Sequence, residues 1–264
     1  SQACGETGAG RMLEPDVIAD AVCRPEVAGA VADGILAGRT VLVTAGPTRE
    51  PIDPVRYITN RSSGKMGYAI AAAAHALGAR VIMISGPVSL PEPRGAEVVR
   101  VETAAEMHAA THERVAEADI FIAAAAVSDY RPAEASARKI KKTRDAMTLE
   151  LVRSPDVLAS VAALAEAPFT VGFAAETENV REYALGKLTT KKLDMIVANR
   201  VGSDCGFDYD ENAAEILWTG GDKAFEKMPK SELAAGLMDV IAARFFETRG
   251  GATQPALSIV SLKE

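Results

Sequence analysis

The stretch TVLVTAGP, residues 40–47, is a short run of β-branched and apolar residues that ends in a glycine and a proline. Such a run predicts a buried strand that leads into a loop. Similar runs predict further strands at 80–85, 120–125, 147–152, 169–173 and 195–198. Helical patterns lie between most of them, at 65–77, 103–116 and 179–192. This alternation predicts βαβ units, and so an α/β, Rossmann-like fold whose mostly parallel twisted sheet carries helices on both faces.

A different pattern closes the chain. Residues 214–219 and 223–227 flank a glycine-containing turn at 220–222, and a helical pattern follows from 230 to 247. Two short strands joined by such a turn predict a β-hairpin near the C-terminus.

Composition narrows the class of protein. The chain has 264 residues and a formal net charge of −7, which argues against broad binding to nucleic acid. No apolar run reaches the roughly 18 residues of a membrane-spanning helix, so no membrane partner is expected. The three cysteines, Cys4, Cys23 and Cys205, are widely spaced and suggest a reducing compartment. We therefore expect a cytoplasmic protein.

In open parallel sheets, ligands bind beyond the carboxyl ends of the strands. The loops to inspect are those after Thr44, Ser85, Ala125, Phe173 and Ala198. Neither G-x-G-x-x-G nor G-x-x-x-x-G-K-[ST] occurs in the sequence. A nucleotide site, if present, must be built in another way.

Two polar segments follow predicted strands. In ITNRSSGKMG, residues 58–67, a glycine-containing turn opens a helix, which suits an anion but also suits a plain cap by Ser62 or Ser63. In AAAAVSDYRP, residues 123–132, small side chains would let a flat ring approach the backbone, and Asp129 could accept from a hydroxyl group or lie near a hydrated metal. A buried alanine-rich strand with a local cap explains that segment equally well.

Basic residues offer a phosphate site. The run KIKK, residues 139–142, could close over a triphosphate or be a solvated loop. Phe173 could stack on a base or belong to the core. Lys187 and Lys191 are four residues apart on one predicted helix, so they share a face that could hold phosphate or face solvent.

Two other patterns suggest different chemistry. Tyr183 and Lys187 match the Tyr-x-x-x-Lys of short-chain dehydrogenases, although the glycine signature of those enzymes is absent. His108 and His112 share a helical face as zinc ligands do, but no third ligand pattern lies nearby. A solvated helix face explains the two histidines more simply, and a match at two positions is weak evidence for a dehydrogenase.

The longer motifs resemble one family. The segment TAGPTREPIDPVRYITNRSSGKMGYAIA, followed in order by ISGPVSL, AAAAVSDYRP, KIKK, SPDVLAS, VGFAAET and KLDMIVAN, closely resembles bacterial phosphopantothenoylcysteine synthetases. The opening SQACGETGAGRMLEP resembles the end of the flavin-dependent decarboxylase that is fused upstream in bifunctional members. In that decarboxylase the matching cysteine is the proton donor, which maps to Cys4; FMN would belong only to the absent upstream domain, so Cys4 is expected to be idle here.

The resemblance implies a domain organisation. Residues 1–38 would be the decarboxylase tail and linker, 39–249 the synthetase domain, and 250–264 a flexible tail. It also implies a homodimer, within a larger oligomer when the decarboxylase is fused, with sites near the subunit interface.

The resemblance further implies a ligase of coenzyme A biosynthesis. Its substrates would be CTP with Mg²⁺, 4′-phosphopantothenate and cysteine, and its intermediate an acyl-cytidylate. The family's catalytic residues map to Asn60 and Lys139, whereas the metal ligands are not assigned. The implied nucleotide contacts are Ala123, Ala124, Ala125, Asp129, Lys139, Ser154, Pro155, Asp156, Val157, Phe173, Lys187 and Lys191. One departure is Ser128, where relatives often carry alanine.

Three functions remain to be separated. The first is this ligase, the second a nicotinamide-dependent oxidoreductase resting on Tyr183 and Lys187, and the third a nucleotide-sensing module without turnover. CTP binding favours the first, NADPH binding the second, and nucleotide binding without pyrophosphate release the third.

Overall fold

One large sheet and two small ones form the β structure of the described residues. The computed structural model describes residues 34–142, 145–200 (Arg200 by its backbone alone) and 209–249. The strands are β1 (Thr40–Ala45), β2 (Arg49–Pro51), β3 (Tyr57–Thr59), β4 (Arg80–Ser85), β5 (Ala96–Arg100), β6 (Ile120–Ala123), β7 (Tyr130–Pro132), β8 (Leu151–Arg153), β9 (Phe169–Glu176), β10 (Met195–Arg200), β11 (Glu211–Trp218) and β12 (Gly221–Pro229). The α-helices are α1 (Lys65–Ala76), α2 (Ala104–Arg114), α3 (Val157–Ala162), α4 (Val180–Thr190) and α5 (Lys230–Arg249).

The large sheet has eight strands in the order β12-β11-β10-β9-β6-β1-β4-β5. The neighbouring strands β5, β4, β1, β6, β9 and β10 pair in parallel. β11 pairs antiparallel with β10 and with β12, so these last two strands form an antiparallel edge. The predicted Rossmann-like sheet and the predicted C-terminal hairpin are therefore confirmed. The chain runs outward from β1 in one direction through β4 and β5 and in the other through β6, β9 and β10, so the carboxyl ends of β1 and β6 flank the point where a ligand is expected.

Helices cover both faces of this sheet. Val41 and Val43 of β1 belong to the apolar cluster that includes residues of α1 and α5. Leu42, between them, belongs to the cluster on the other face with Met107 of α2 and Val161 of α3. Because successive side chains of a strand point to opposite faces, a continuous apolar run in β1 fills two cores at once.

Two three-residue hairpins lie outside the large sheet. β2 pairs antiparallel with β3, and β7 with β8. The sequence did not predict β2, β3 or β7, and residues 147–150 of the predicted strand at 147–152 lie outside β8. These strands are short and partly exposed, and each hairpin contains a proline, so they carry no alternating apolar pattern. The edge strand β5 escaped prediction for the same reason, since its pattern AEVVR includes two charged residues.

The terminal predictions fall outside the structure described. Cys4, most of the predicted linker at 1–38 and the predicted tail at 250–264 lie there. The boundaries 1–38, 39–249 and 250–264 stay predictions.

Candidate active site

The loops after β1 and β6 lie side by side and form the floor of the candidate site. Pro47 and Ala126 make an isolated parallel bridge, and the Ala126 N–H donates to the Gly46 carbonyl at 2.9 Å. The Ser128 N–H donates to Thr48 Oγ1 at 3.0 Å. These hydrogen bonds extend the pairing of the two strands beyond the sheet, so the alanine-rich segment leaves β6 in a fixed path.

A cavity of about 490 Å³ opens on one side of this floor. Its walls come from the ends of β1, β6 and β9, the start of α3 and one face of α4. Most of the predicted nucleotide contacts line it. They are Ala123, Ala125, Asp129, Ser154, Pro155, Asp156, Val157, Phe173, Lys187 and Lys191. The sequence thus anticipated a set of residues that the fold brings together from five separate segments.

The two predicted phosphate lysines lie in this cavity, each paired with a carboxylate. Lys187 Nζ donates to Glu176 Oε1 at 2.6 Å. Lys191 Nζ lies 2.7 Å from Asp156 Oδ2. Both pairs are partly exposed, so each contributes little to stability. An incoming anion can therefore replace either carboxylate as the partner of its lysine at low cost.

Asp156 has a second role. Its Oδ1 accepts from the Ala159 N–H at 2.9 Å and so caps α3. Burial by itself would raise the pKa of Asp156, but Lys191, the Ala159 N–H and nearby Lys187 together lower it below its ordinary value. Asp156 is thus an anion that keeps Lys191 oriented toward the cavity.

Asp129 lies exposed at the edge of the same cavity. The Ser154 N–H donates to the Asp129 carbonyl at 2.8 Å, which fixes the backbone that carries the carboxylate. Mg²⁺ in nucleotide sites is bound by one or two carboxylates together with substrate phosphates. Asp129 suits a metal that arrives with a triphosphate, whereas the described residues include no group of three or more His, Cys, Asp or Glu side chains that could hold a metal ion.

A second cavity, of about 120 Å³, lies on the opposite side of the same strand ends. It is lined by the turn and first residues of α1, by Ala124, Ala125 and Ala126, by Phe173, and by Asn199, Asn212 and Lys230, among others. Ala125 and Phe173 line both cavities. The two cavities are thus neighbours that share part of a wall.

Glycines shape the end of α1 that faces this second cavity. Gly64 has a φ of 78°, a left-handed conformation that suits glycine, and it precedes the first residue of α1. A Cβ at Gly67 would lie 2.6 Å from the Cβ of Ala45, so only glycine lets α1 approach β1 this closely. The predicted anion-binding turn is therefore a helix N-terminus packed against the floor, and residues 62–67 line the second cavity.

Asn60 is anchored to the loop between the cavities. Its Nδ2 donates to the Val127 carbonyl at 2.9 Å and, more weakly, to the Ala126 carbonyl at 3.4 Å. The neighbouring Thr59 Oγ1 donates to the Thr48 carbonyl at 2.7 Å. The predicted catalytic amide thus lies beside the backbone that lines both cavities.

Two predicted nucleotide contacts lie elsewhere. Ala124 lines the second cavity, because the strand alternation turns it to the other face. Lys139 is exposed on the segment between β7 and β8 and is not among the described residues that line the first cavity. Its segment contacts the turn between β2 and β3 instead.

Sequence reasoning missed three polar residues that line the second cavity. Asn199 belongs to the end of β10, where inspection of the loop after Ala198 could have found it. Asn212 and Lys230 come from β11 and the start of α5 and are less than one tenth exposed. No local pattern marks them, because their position depends on the antiparallel edge of the sheet.

Tyr183 and the two histidines lie outside both cavities, whereas Lys187 of the Tyr-x-x-x-Lys pattern lines the first. Tyr183 is 42% exposed on α4 and lines neither cavity. The rings of His108 and His112 are 4.4 Å apart, and His112 Nε2 lies 2.9 Å from Ser160 Oγ. Burial and the neighbouring His112 lower the pKa of His108. The histidines therefore form a local contact between α2 and α3.

These features define an α/β protein of Rossmann-like fold with two adjacent cavities, a candidate bipartite binding site, at the carboxyl edge of its sheet. Within the described ranges, no helix has the length and apolarity to cross a membrane.

Comparison with known proteins identifies the family. Residues 36–245 match the model of the DNA/pantothenate metabolism flavoprotein C-terminal domain, and the chain belongs to this family. It is 51% identical over 244 residues to the coenzyme A biosynthesis bifunctional protein CoaBC of Vibrio cholerae, covering 91% of this chain and 60% of that protein. The CoaBC of Escherichia coli K12 is 49% identical over 252 residues, covering 94% of this chain and 61% of that protein.

A solved structure extends this result to the fold. A crystal structure of the C-terminal domain of a CoaBC protein matches with a TM-score of 0.70 and 38% identity, covering 81% of this chain and all of the other. The predicted family resemblance is thereby confirmed. The chain spans about three fifths of the length of the curated relatives it matches.

Proposed function

We propose that this chain joins 4′-phosphopantothenate to cysteine in coenzyme A biosynthesis, and that it uses CTP to activate the acid. The observation that carries this proposal is the pair of adjacent cavities that share Ala125 and Phe173. A reaction that first couples an acid to a nucleotide needs two substrates bound next to each other at one point. The relatives named for coenzyme A biosynthesis support this choice of substrates.

The first cavity would bind CTP. The backbone at Ala123 and Ala125 and the ring of Phe173 would hold the base, and Lys187 and Lys191 would neutralise the phosphates. Mg²⁺ would enter with the triphosphate, with Asp129 as the carboxylate nearest to suit it, and would supply further charge neutralisation. The residues present fit this role because Lys187 and Lys191 provide positive charge on a helix. The reaction itself needs no nucleophile from the enzyme.

The second cavity would bind the acid. The N-terminus of α1 and the buried Lys230 favour an anionic group there. A carboxylate oxygen of the acid would attack the α-phosphorus of CTP, and pyrophosphate would leave with the electrons of the broken P–O bond. The amine of cysteine would then attack the acyl carbon, CMP would leave, and the amine proton would pass to solvent.

Asn60 would act in the second step. An amide N–H₂ can donate to the oxyanion that forms when cysteine attacks, a contribution worth about 3 kcal/mol. In the structure those hydrogens are donated to the backbone beside the shared wall. During the reaction, the Asn60 amide would release one of these backbone carbonyls and donate that hydrogen to the developing oxyanion instead.

Two copies of the chain would associate through the small hairpins. Val55, Tyr57, Tyr130 and Leu151 lie on or beside the β2–β3 and β7–β8 hairpins and are each more than two fifths exposed. An apolar face of this kind is typical of an interface. Since Lys139 lies on the segment between β7 and β8, association would place its charge beside a nucleotide cavity.

The decisive experiment measures pyrophosphate release with CTP, Mg²⁺, phosphopantothenate and cysteine, omitting each component in turn. Release that needs CTP and phosphopantothenate, with amide product only when cysteine is present, is the expected result. Nucleotide binding without release would instead identify a sensing module.

A further inference from the structure

A buried carboxylate connects the segment that carries Lys139 to the turn between β2 and β3. The Asp53 side chain is fully buried, whereas that of Arg56 is 38% exposed. Asp53 Oδ1 accepts from the N–H groups of Val55 at 2.8 Å and Arg56 at 3.0 Å, and Oδ2 accepts from Arg56 Nε at 3.0 Å. These bonds close the turn on itself and compensate the burial of the charge.

The same pair also binds a distant residue. Asp53 Oδ2 accepts from the Ile140 N–H at 3.1 Å, and Arg56 Nη2 donates to the Ile140 carbonyl at 2.9 Å. The Ser136 N–H donates to the Ile52 carbonyl at 2.9 Å. Both backbone groups of the residue next to Lys139 are therefore fixed by one ion pair.

We propose that Asp53, acting with Arg56, is a positioning residue for Lys139. This inference rests on the proposed function. A lysine on an otherwise irregular segment loses much rotational freedom when it binds a phosphate, and a misplacement of about 1 Å can slow a reaction about a hundredfold. The ion pair restricts the backbone at Ile140 before the nucleotide arrives, and so reduces that loss.

The chemistry of the pair suits this role. Arg56 holds the pKa of Asp53 well below its ordinary range, so the carboxylate is charged at neutral pH. The hairpin that contains Asp53 ends next to Asn60, because β3 finishes at Thr59. One hairpin thus positions both of the side chains proposed for catalysis.

A double-mutant cycle separates positioning from general stability. Pyrophosphate release is measured for the wild type, Asp53→Asn, Lys139→Gln and the double variant, with thermal unfolding of each. Asp53→Asn should lower kcat/KM of the wild type by about tenfold to a hundredfold. When it is added to Lys139→Gln, it should lower kcat/KM only slightly further. If the double variant lowers kcat/KM by the full product of the two single effects, the two residues act independently and the proposal is overturned.

Glu50→Gln is the matched control. Glu50 is a buried carboxylate of the same hairpin, and its Oε1 accepts from the Ala104 N–H of α2 at 2.9 Å rather than from the segment that carries Lys139. Its loss should lower the unfolding temperature without interacting energetically with Lys139→Gln. If Asp53→Asn does not fold, Arg56→Lys takes its place, because lysine keeps the charge but cannot bind Asp53 and the Ile140 carbonyl in the same forked geometry.

A second measurement does not depend on the ligase reaction. Limited trypsin digestion followed by mass spectrometry reports cleavage after Lys139. Cleavage there should become several-fold faster in Asp53→Asn and stay unchanged in Glu50→Gln. An unchanged rate in Asp53→Asn overturns the positioning role, whereas a wild type that fails to release pyrophosphate overturns the proposed function alone.

Discussion

The side-chain amide of Asn60 donates to the backbone carbonyl of Val127 at 2.9 Å, across 67 residues of sequence. This bond holds the amide against the backbone of Val127, which lines the first cavity. It also means that Asn60 can be changed without disturbing the apolar core, because the side chain is exposed. Function and folding can therefore be tested separately at this position.

Asn60→Asp should uncouple the two half-reactions. The carboxylate is almost the same size, but it cannot donate hydrogens and would repel an oxyanion. We expect acyl-cytidylate to accumulate, visible by mass spectrometry, while amide formation slows about a hundredfold. Asn179→Asp, an exposed change before α4, is the control. A folded Asn60→Asp protein that releases no pyrophosphate would instead place Asn60 in activation.

The first cavity should select its nucleotide by hydrogen bonding at 123–125. Backbone groups that match one base edge are left unpaired by another base. CTP should therefore exceed ATP in kcat/KM by at least about tenfold, measured as pyrophosphate release with each nucleotide. Equal rates would contradict CTP as the activating substrate.

Lys139→Gln should impair formation of the acyl-cytidylate, since it removes a positive charge proposed to neutralise the triphosphate. Lys142→Gln removes a charge from the same exposed run and should have little effect. The comparison uses initial rates of pyrophosphate release. A normal rate in Lys139→Gln would show that the run at 139–142 is only a solvated surface.

Tyr183→Phe should leave ligase activity almost unchanged, because Tyr183 lies outside both cavities. An oxidoreductase that uses the tyrosine for proton transfer would lose its activity on this change. The second comparison is the affinity of the wild type for NADPH and for CTP, measured by calorimetry. Tight NADPH binding together with a collapse in rate would revive the oxidoreductase hypothesis.

Acid should remove the stabilisation that Asp53 supplies. The folded-state pKa of Asp53 lies below its unfolded value of about 3.9, so its contribution is complete above that pH and is lost as the pH falls further. The difference in unfolding temperature between wild type and Asp53→Asn should thus be large near neutral pH and shrink below about pH 4. A difference that does not change with pH would mean that the charge of Asp53 contributes nothing.

Local sequence was sufficient for the inner parallel strands of the large sheet. The apolar run of β1 and its counterparts in β4, β6, β9 and β10 are long and bounded by turns, so their strands were predicted close to their observed limits. Helix positions followed from the same alternation. The small hairpins did not, because β2, β3 and β7 gain their structure from contacts with each other and with distant segments.

The residues of the candidate site likewise fall into those that local sequence could predict and those that it could not. Lys187 and Lys191 could be grouped from their spacing on a helix, and Phe173 from its place at a strand end. The position of Lys139 could not be predicted, because it depends on Asp53 and Arg56, which are more than 80 residues away. The side on which Ala124 lies depends on where β6 ends, which the alanine run leaves undefined.

The wall shared by the two cavities has a consequence for inhibition. A compound that fills one cavity and extends past Ala125 and Phe173 into the other would bind as two linked ligands. Its second half would experience a local concentration set by a short tether, which can raise the overall affinity by factors of about 10² to 10⁴. Replacing Phe173 by a smaller residue would remove a contact from both halves of such a compound, so one substitution would weaken a bridging inhibitor more than a ligand of either cavity alone.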